Sequence, residues 1–233
     1  MQDDWGRLWS AQREAGAKPC HQPQSRPKGT DVLDKPQRIT LSPPLPANGA
    51  SLQDCIRQRR SVRSFRDRNL TMDNLSRLLW AAQGITGAEG HRSAPSAGAL
   101  YPLELHAVIS RVTGAAPGVY RYLATSNEMT LIAHGFQREK LAEAARGQDW
   151  IATAAAAVCI AAVFARTTVK YGLRGRGYVY MEAGHAAQNL MLQAVELGLG
   201  TTMVGAFDDA AVARVLHLRP DETPLCLLPL GVP

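Results

Sequence analysis

Hydrophobic positions fall into regular patterns only from Ser51 onward. SLQDCIRQRR (51–60) reads as a helix, with Ser51 as its N-cap and Asp54 in the first turn, where an acidic group meets the positive end of the helix dipole. TMDNLSRLLWAAQG (71–84) reads as a second helix, opened by Thr71 and stopped by Gly84, with Leu75, Leu78, Leu79 and Ala82 on one face. LELHAVIS (103–110) predicts a strand, and VYRYLA and MTLIA (119–124 and 129–133) predict a hairpin around TSNE. QREKLAEAAR (137–146) predicts a helix, and DWIATAA leads into a buried strand, AVCIAAVF (157–164). The longest helix is expected over 178–199, where Ala183, Ala186, Ala187 and Ala194 offer a small-residue surface for close packing. A strand over TTMVGA (201–206), a helix over DDAAVARVL (208–216) and a strand over PLCLLPLGV (224–232) complete the pattern. Helices and strands mix without regular alternation, which predicts the α+β class, and no internal repeat is visible.

The preceding stretch is different. Residues 1–47 hold seven of the 14 prolines and little periodicity, so residues 1–50 read as an arm or extended wrap and 51–233 as the folded domain. Trp5, Leu8 and Trp9 have the spacing of a helical docking set. A length of 233 residues and 45% hydrophobic content fit one domain with an extension. The net charge of +6 points to an anionic partner, whether nucleic acid, phosphate cofactor or acidic peptide. The nucleic-acid option lacks a helix-turn-helix, zinc spacing or an aromatic RNA-binding strand. Cys20, Cys55, Cys159 and Cys226 have neither metal nor redox spacing; Cys159 and Cys226, in strand-like runs, are expected as buried thiols in a reducing cytoplasm. MQDDWGRLWS has no apolar core of a signal peptide, and IATAAAAVCIAAVFA is too short for a membrane span, so no membrane partner is expected.

Three stretches carry candidate chemistry. RQRRSVRSFRDR (57–68) packs six arginines into twelve residues, suited either to gripping a phosphate or to a solvated basic face. APSAGALYP (94–102) is a loop of small residues that lets backbone approach a flat ring, or an ordinary tight loop; it is not a hydrolase elbow around Ser96. Lys170 and Tyr171 stand together although the chain has only five lysines, and both are side chains that can exchange a proton. GLGTTMVGAFDD (198–209) is neither a dinucleotide fingerprint nor a phosphate loop, which disfavours a Rossmann-bound nicotinamide. The six histidines show no ligand spacing, His185 reads as a hydrogen-bonded interior residue, and no metal is predicted.

RRSVRSF, APSAGALYP, the lysine–tyrosine pair followed by RGRGYVYMEAGHAAQNLMLQAVELGLG, TTMVGAFDD and LCLLPLGVP occur in that order. Together, over residues 51–233, they resemble the nitroreductase-like flavoproteins, and most closely the SagB/ThcOx-type dehydrogenases, azoline oxidases of thiazole- and oxazole-modified peptide pathways. The resemblance implies a central mixed sheet flanked by helices in an intertwined homodimer, with FMN at each interface site. It matches Arg59, Arg60, Ser61 and Arg63 to phosphate and ribityl contacts. It matches Pro95, Ser96, Ala97, Gly98 and Leu100 to the loop that reaches the flavin from the partner subunit. Gln148 corresponds to an amide near the ring system, Gly205 and Ala206 to backbone at its reactive edge, and Lys170 and Tyr171 to the catalytic pair of azoline oxidation, with Arg174 and Arg176 close in sequence to tune the lysine. The family's basic residue in the final G-x-P is Val232 here. The implied function is dehydrogenation of a thiazoline or oxazoline, with hydride transfer to FMN and reoxidation by dioxygen; a biosynthetic partner enzyme belongs to the same picture. Two alternatives stand beside it: an NAD(P)H-dependent nitro or quinone reductase, and a non-enzymatic basic binding protein with a decayed flavin site.

Overall fold

A computed structural model describes residues 37–42 and 49–233. The proposed docking set Trp5, Leu8 and Trp9 lies outside the described residues. One sheet holds seven strands: β1 (Arg38–Thr40), β3 (Leu103–Ile109), β5 (Gly118–Leu123), β6 (Glu128–His134), β7 (Ala156–Ala162), β8 (Gly200–Thr201) and β9 (Thr223–Gly231). Their spatial order is β1-β6-β5-β3-β7-β9-β8. A separate parallel ribbon pairs β2 (Leu70–Thr71) with β4 (Val112–Thr113).

The α+β class holds, but the large sheet is antiparallel at every pairing rather than mixed. β5 and β6 are joined by a tight turn, which only antiparallel neighbours allow. Parallel bonding is confined to β2–β4 and an isolated bridge between Ser61 and Thr201. Within the span read as an arm, Arg38–Thr40 forms the edge strand on β6, and Leu41 beside it is buried.

β7 lies inside the sheet, and all seven of its residues are buried, as a continuous apolar run requires of a strand covered on both faces. Ala157, Cys159 and Ala161 point into a core with Val108 and Leu227, closed by Leu141 of α3 (Arg138–Ala144) and Val212 of α6 (Asp209–Val215). Strand alternation turns Val158, Ile160 and Ala162 to the other face. There α5 (Arg174–Glu196) meets β3, β7 and β9 and packs on α2 (Met72–Gln83). Ala183, Ala186, Ala187 and Ala194 are all buried in α5, the close-packing surface expected of them.

The helix starts follow their caps. Ser51 Oγ accepts from the Asp54 N–H at 3.1 Å ahead of α1 (Leu52–Gln58). Thr71 and Asn74 cap each other reciprocally at the start of α2. Two elements differ from the sequence pattern. A short helix, α4 (Ala165–Tyr171), occupies a stretch with no predicted element, and α5 begins at Arg174 rather than 178. At Gly175, in the added first turn, a Cβ would stand 3.1 Å from Thr167 O, so the crossing of α5 on α4 is tight there and favours glycine. The TTMVGA strand reduces to Gly200–Thr201, after which only Val204 pairs, with Leu227. Cys55, Cys159 and Cys226 are free and buried, and burial pushes the Cys226 thiol up to about 12. Among the described residues no helix is long and apolar enough to cross a membrane.

Candidate functional site

The residues singled out from the sequence gather in two neighbourhoods. The first lies along the β8–β9 edge. Leaving α1, the chain runs beside this edge, with the Val62 N–H donating to Thr201 O at 3.1 Å and the Arg66 N–H to Val232 O at 2.8 Å. That anchoring sets Arg59, Arg60, Ser61 and Arg63 in a row at the sheet margin. Arg60 donates to the carbonyls of Arg57 and Arg59, both at 2.8 Å. Among the described residues no carboxylate pairs with Arg59, Arg60 or Arg63, whereas Arg57 is paired with Asp54 at 2.6 Å. Three guanidiniums without a protein counter-ion suit an anionic ligand.

Gln148 joins the same neighbourhood. Its amide donates to Ala145 O at 2.9 Å and Ala206 O at 3.0 Å, tying the end of α3 to the Gly205–Ala206 turn. The Phe65 and Trp150 rings, 6.4 Å apart, link the arginine segment to the stretch just after Gln148. Gly205 and Ala206 are exposed, with backbone open to a ligand.

The second neighbourhood is the small-residue loop and α4. Gly98, Ala99 and Tyr101 all have left-handed backbone, with φ of 64°, 54° and 44°. Two of them are not glycine, a costly arrangement that persists only where the surroundings hold it. Ser96 Oγ accepts from the Tyr101 N–H at 2.9 Å, and the Arg92 guanidinium lies 4.7 Å above the Tyr101 ring. Arg166 of α4 donates to Tyr101 O at 3.0 Å and pairs with Glu104 of β3, so the same side chain pins the loop and the helix.

Four and five residues further along α4 come Lys170 and Tyr171. A Cβ on Gly98 would stand 2.7 Å from Tyr171 Oη and 3.0 Å from Lys170 Nζ. The two motifs, about seventy residues apart in sequence, therefore meet, and both polar tips end at the bare backbone of Gly98. Tyr171 packs edge-on against Tyr178 at 5.2 Å. The two arginines expected to tune Lys170 each lie over a ring, Arg174 over Tyr178 at 5.6 Å and Arg176 over Phe164 at 4.5 Å.

Behind the loop lies a cavity of about 290 Å³, walled by Pro95, Ser96 and Ala97 and by Tyr178, Met181 and Glu182 of α5. His185 also lines it and is exposed, which corrects its reading as an interior residue. Its position falls beside the exposed Met181 and Gly184 on the outer face, away from the alanine stripe. Among the described residues, no cluster of three or more histidine, cysteine or acidic side chains is arranged to hold a metal.

Glu182, Arg92 and Arg166 were not singled out in the sequence. Glu182 had a signal: it is a carboxylate in a stripe whose other members, Val179, Ala183 and Ala186, are apolar and buried. Arg92 and Arg166 had none, because their partners are distant in sequence.

Beneath the loop a network of charges crosses the sheet. Arg121 bridges Glu104 at 2.9 Å and Glu222 at 3.1 Å, and His106 Nε2 lies 3.3 Å from Glu222. Burial raises Glu222, but the nearby His106 imidazole, the Arg219 N–H and the Arg121 charge outweigh it and bring it down to about 2.

Residues 56–232 match the Nitroreductase family. A protein of Methanocaldococcus jannaschii whose name marks it as a candidate nitroreductase is 44% identical over 180 residues, covering 77% of this chain and 90% of its own. The microcin B17-processing protein McbC of Escherichia coli is 30% identical over 133 residues, 54% of this chain and 48% of its own. The crystal structure of a candidate nitroreductase from Anabaena variabilis superposes with a TM-score of 0.75 at 28% identity, over 85% of this chain and 42% of that one. With the family match spanning six of the seven strands of the sheet, the arginine edge and the loop against α4, the chain belongs to the nitroreductase family.

Proposed function

We propose that this chain is an FMN-dependent oxidoreductase that dehydrogenates an azoline ring of a peptide-derived substrate, working as a homodimer. The observation that carries the reading is the meeting of Lys170 Nζ and Tyr171 Oη at Gly98, which puts two proton-exchanging groups against the loop suited to a flat ring.

The residues present fit FMN. Arg59, Arg60 and Arg63 are free to neutralise its phosphate, with Ser61 beside them for the ribityl chain. The open backbone of Gly205–Ala206, steadied by Gln148, suits the edge of the ring system. Pro95, Ser96, Ala97, Gly98 and Leu100 suit its face. The two neighbourhoods are anchored separately within one chain, and two copies exchanging them would complete each site. Large apolar side chains left exposed near α4 and α5, Val169 at 87%, Leu173 at 88% and Met181 at 55%, suit burial against such a copy.

When bound, FMN supplies an acceptor for a hydride and an exit for its electrons to dioxygen. The chain's own groups handle the rest. Lys170 takes the proton from the azoline ring carbon at Nζ, and Tyr171 orients the ring through Oη. The likeness to a microcin-processing protein supports a peptide-derived substrate, and a partner enzyme that makes the azoline belongs to the same reading.

An NAD(P)H-dependent nitro or quinone reductase is the second reading, favoured by 44% identity to the candidate nitroreductase. Anaerobic mixing of flavin-loaded protein with NADPH or with a thiazoline peptide separates the two. Fast bleaching by the peptide, lost in a Lys170→Ala protein that keeps its flavin, is expected. Bleaching by NADPH alone supports the reductase, and full peptide oxidation by yellow Lys170→Ala protein removes Lys170 from its role.

A further inference from the structure

Glu182 has no part in the reading above, and it is the one carboxyl among the described residues that line the cavity behind the Ser96 loop. It is 3% exposed, in the buried stripe of α5. Carboxylates are seldom buried so fully without a cation or several donors. Here Oε1 is buried with no hydrogen-bond partner. Ser96 lies against the carboxyl, and Arg92 acts on it through space. Arg92 is committed elsewhere, donating to Gln83 Oε1 at 2.7 Å and covering the Tyr101 ring. Burial pushes Glu182 up to about 7, against the weaker pull of Ser96 and Arg92. The other titratable groups around the cavity are Tyr178 and His185 on the same helix, with Lys170 and Tyr171 of α4 reaching the loop at Gly98.

A carboxyl set in a cavity wall, with one oxygen buried and without a protein partner, is placed to exchange a proton with what enters. We propose that Glu182 is the proton-exchanging residue of this cavity, giving or taking a proton at its carboxyl group with a bound molecule that presents an N–H, an O–H or a basic ring nitrogen. This rests on the flavin reading for the identity of the occupant, while the titration of the carboxyl itself does not. Lys170 serves a carbon-bound proton in that reading, and Glu182 serves a heteroatom.

Infrared difference titration of the ligand-free protein tests it first. In wild type the carbonyl band of a protonated carboxyl disappears as pH rises through about 7, a midpoint far above the ordinary glutamate value of about 4. Glu182→Gln lacks the band, and His185→Asn keeps it. A band that titrates near the ordinary value, or that persists in Glu182→Gln, overturns the proposal. FMN is the probe for the second step. The absorption spectrum of bound FMN shifts with the same midpoint in wild type and stays constant in Glu182→Gln; a wild-type spectrum that ignores the midpoint overturns the exchange with the occupant. A protein that takes up no FMN removes the flavin reading instead, and the infrared midpoint still decides for or against Glu182.

Discussion

Replacing Gly98 by alanine separates the chemistry of the loop from its folding. Gly98 has φ +64°, a conformation that costs an L-residue about 1 kcal/mol. The added Cβ would stand 2.7 Å from Tyr171 Oη and 3.0 Å from Lys170 Nζ. Relaxing to an ordinary contact of roughly 3.5 Å moves the tyrosine oxygen by about 0.8 Å and the lysine nitrogen by about 0.5 Å. A misplacement of about 1 Å costs a reaction on the order of a hundredfold, so turnover should fall by roughly tens of fold. Gly198 is the control: its φ is +68° and no atom lies within 4 Å of a Cβ there. Gly198→Ala therefore carries the backbone cost alone, a melting temperature lower by about 2–4 °C, with turnover unchanged. Thermal melts and turnover of both flavin-loaded variants make the comparison. Wild-type turnover in Gly98→Ala, or an equal loss in Gly198→Ala, would refute the reasoning that the two tips work at Gly98.

Two further outcomes follow from the charge network. Glu222 is held at about 2 against an ordinary 4.5, so its stabilisation is complete above about pH 4.5 and lost as pH falls towards 2. That difference is worth about 3 kcal/mol, and urea melts at decreasing pH should show a loss over this window that is absent in Glu222→Gln. Arg166→Ala removes a partner of Glu104 and the donor to Tyr101 O, so it should destabilise by about 1–3 kcal/mol and speed amide exchange across residues 96–101. Unchanged exchange there would show that Ser96 and Arg92 hold the loop without it.

Local signals were legible in the sequence wherever cause and effect lie close along the chain. Thr71 opens α2 because its hydroxyl and the Asn74 amide are three residues apart. β7 was legible because a strand covered on both faces must be apolar at every position. α4 was not, since ARTTVKY is short and rich in β-branched residues that favour strands in isolation. Its helix rests on tertiary contacts, Arg166 to Glu104 and the crossing at Gly175. The strand directions of the sheet depend on which distant segments pair, and local pattern carries no such information. At the site, residue types announced themselves: clustered arginines, a run of small residues, a lysine beside a tyrosine. Their juxtaposition did not, and neither did Glu182, whose significance lies in a cavity formed with a loop 86 positions away at Ser96.

The visible spectrum of the purified protein, with the chromophore then released and identified, decides whether the arginine edge holds a flavin. Bound flavin, identified as FMN, is expected, as is its loss when Arg59 and Arg63 are both replaced by alanine. A colourless protein that also fails to take up added FMN would contradict it, leaving the arginine edge without its ligand and Lys170 without its reaction.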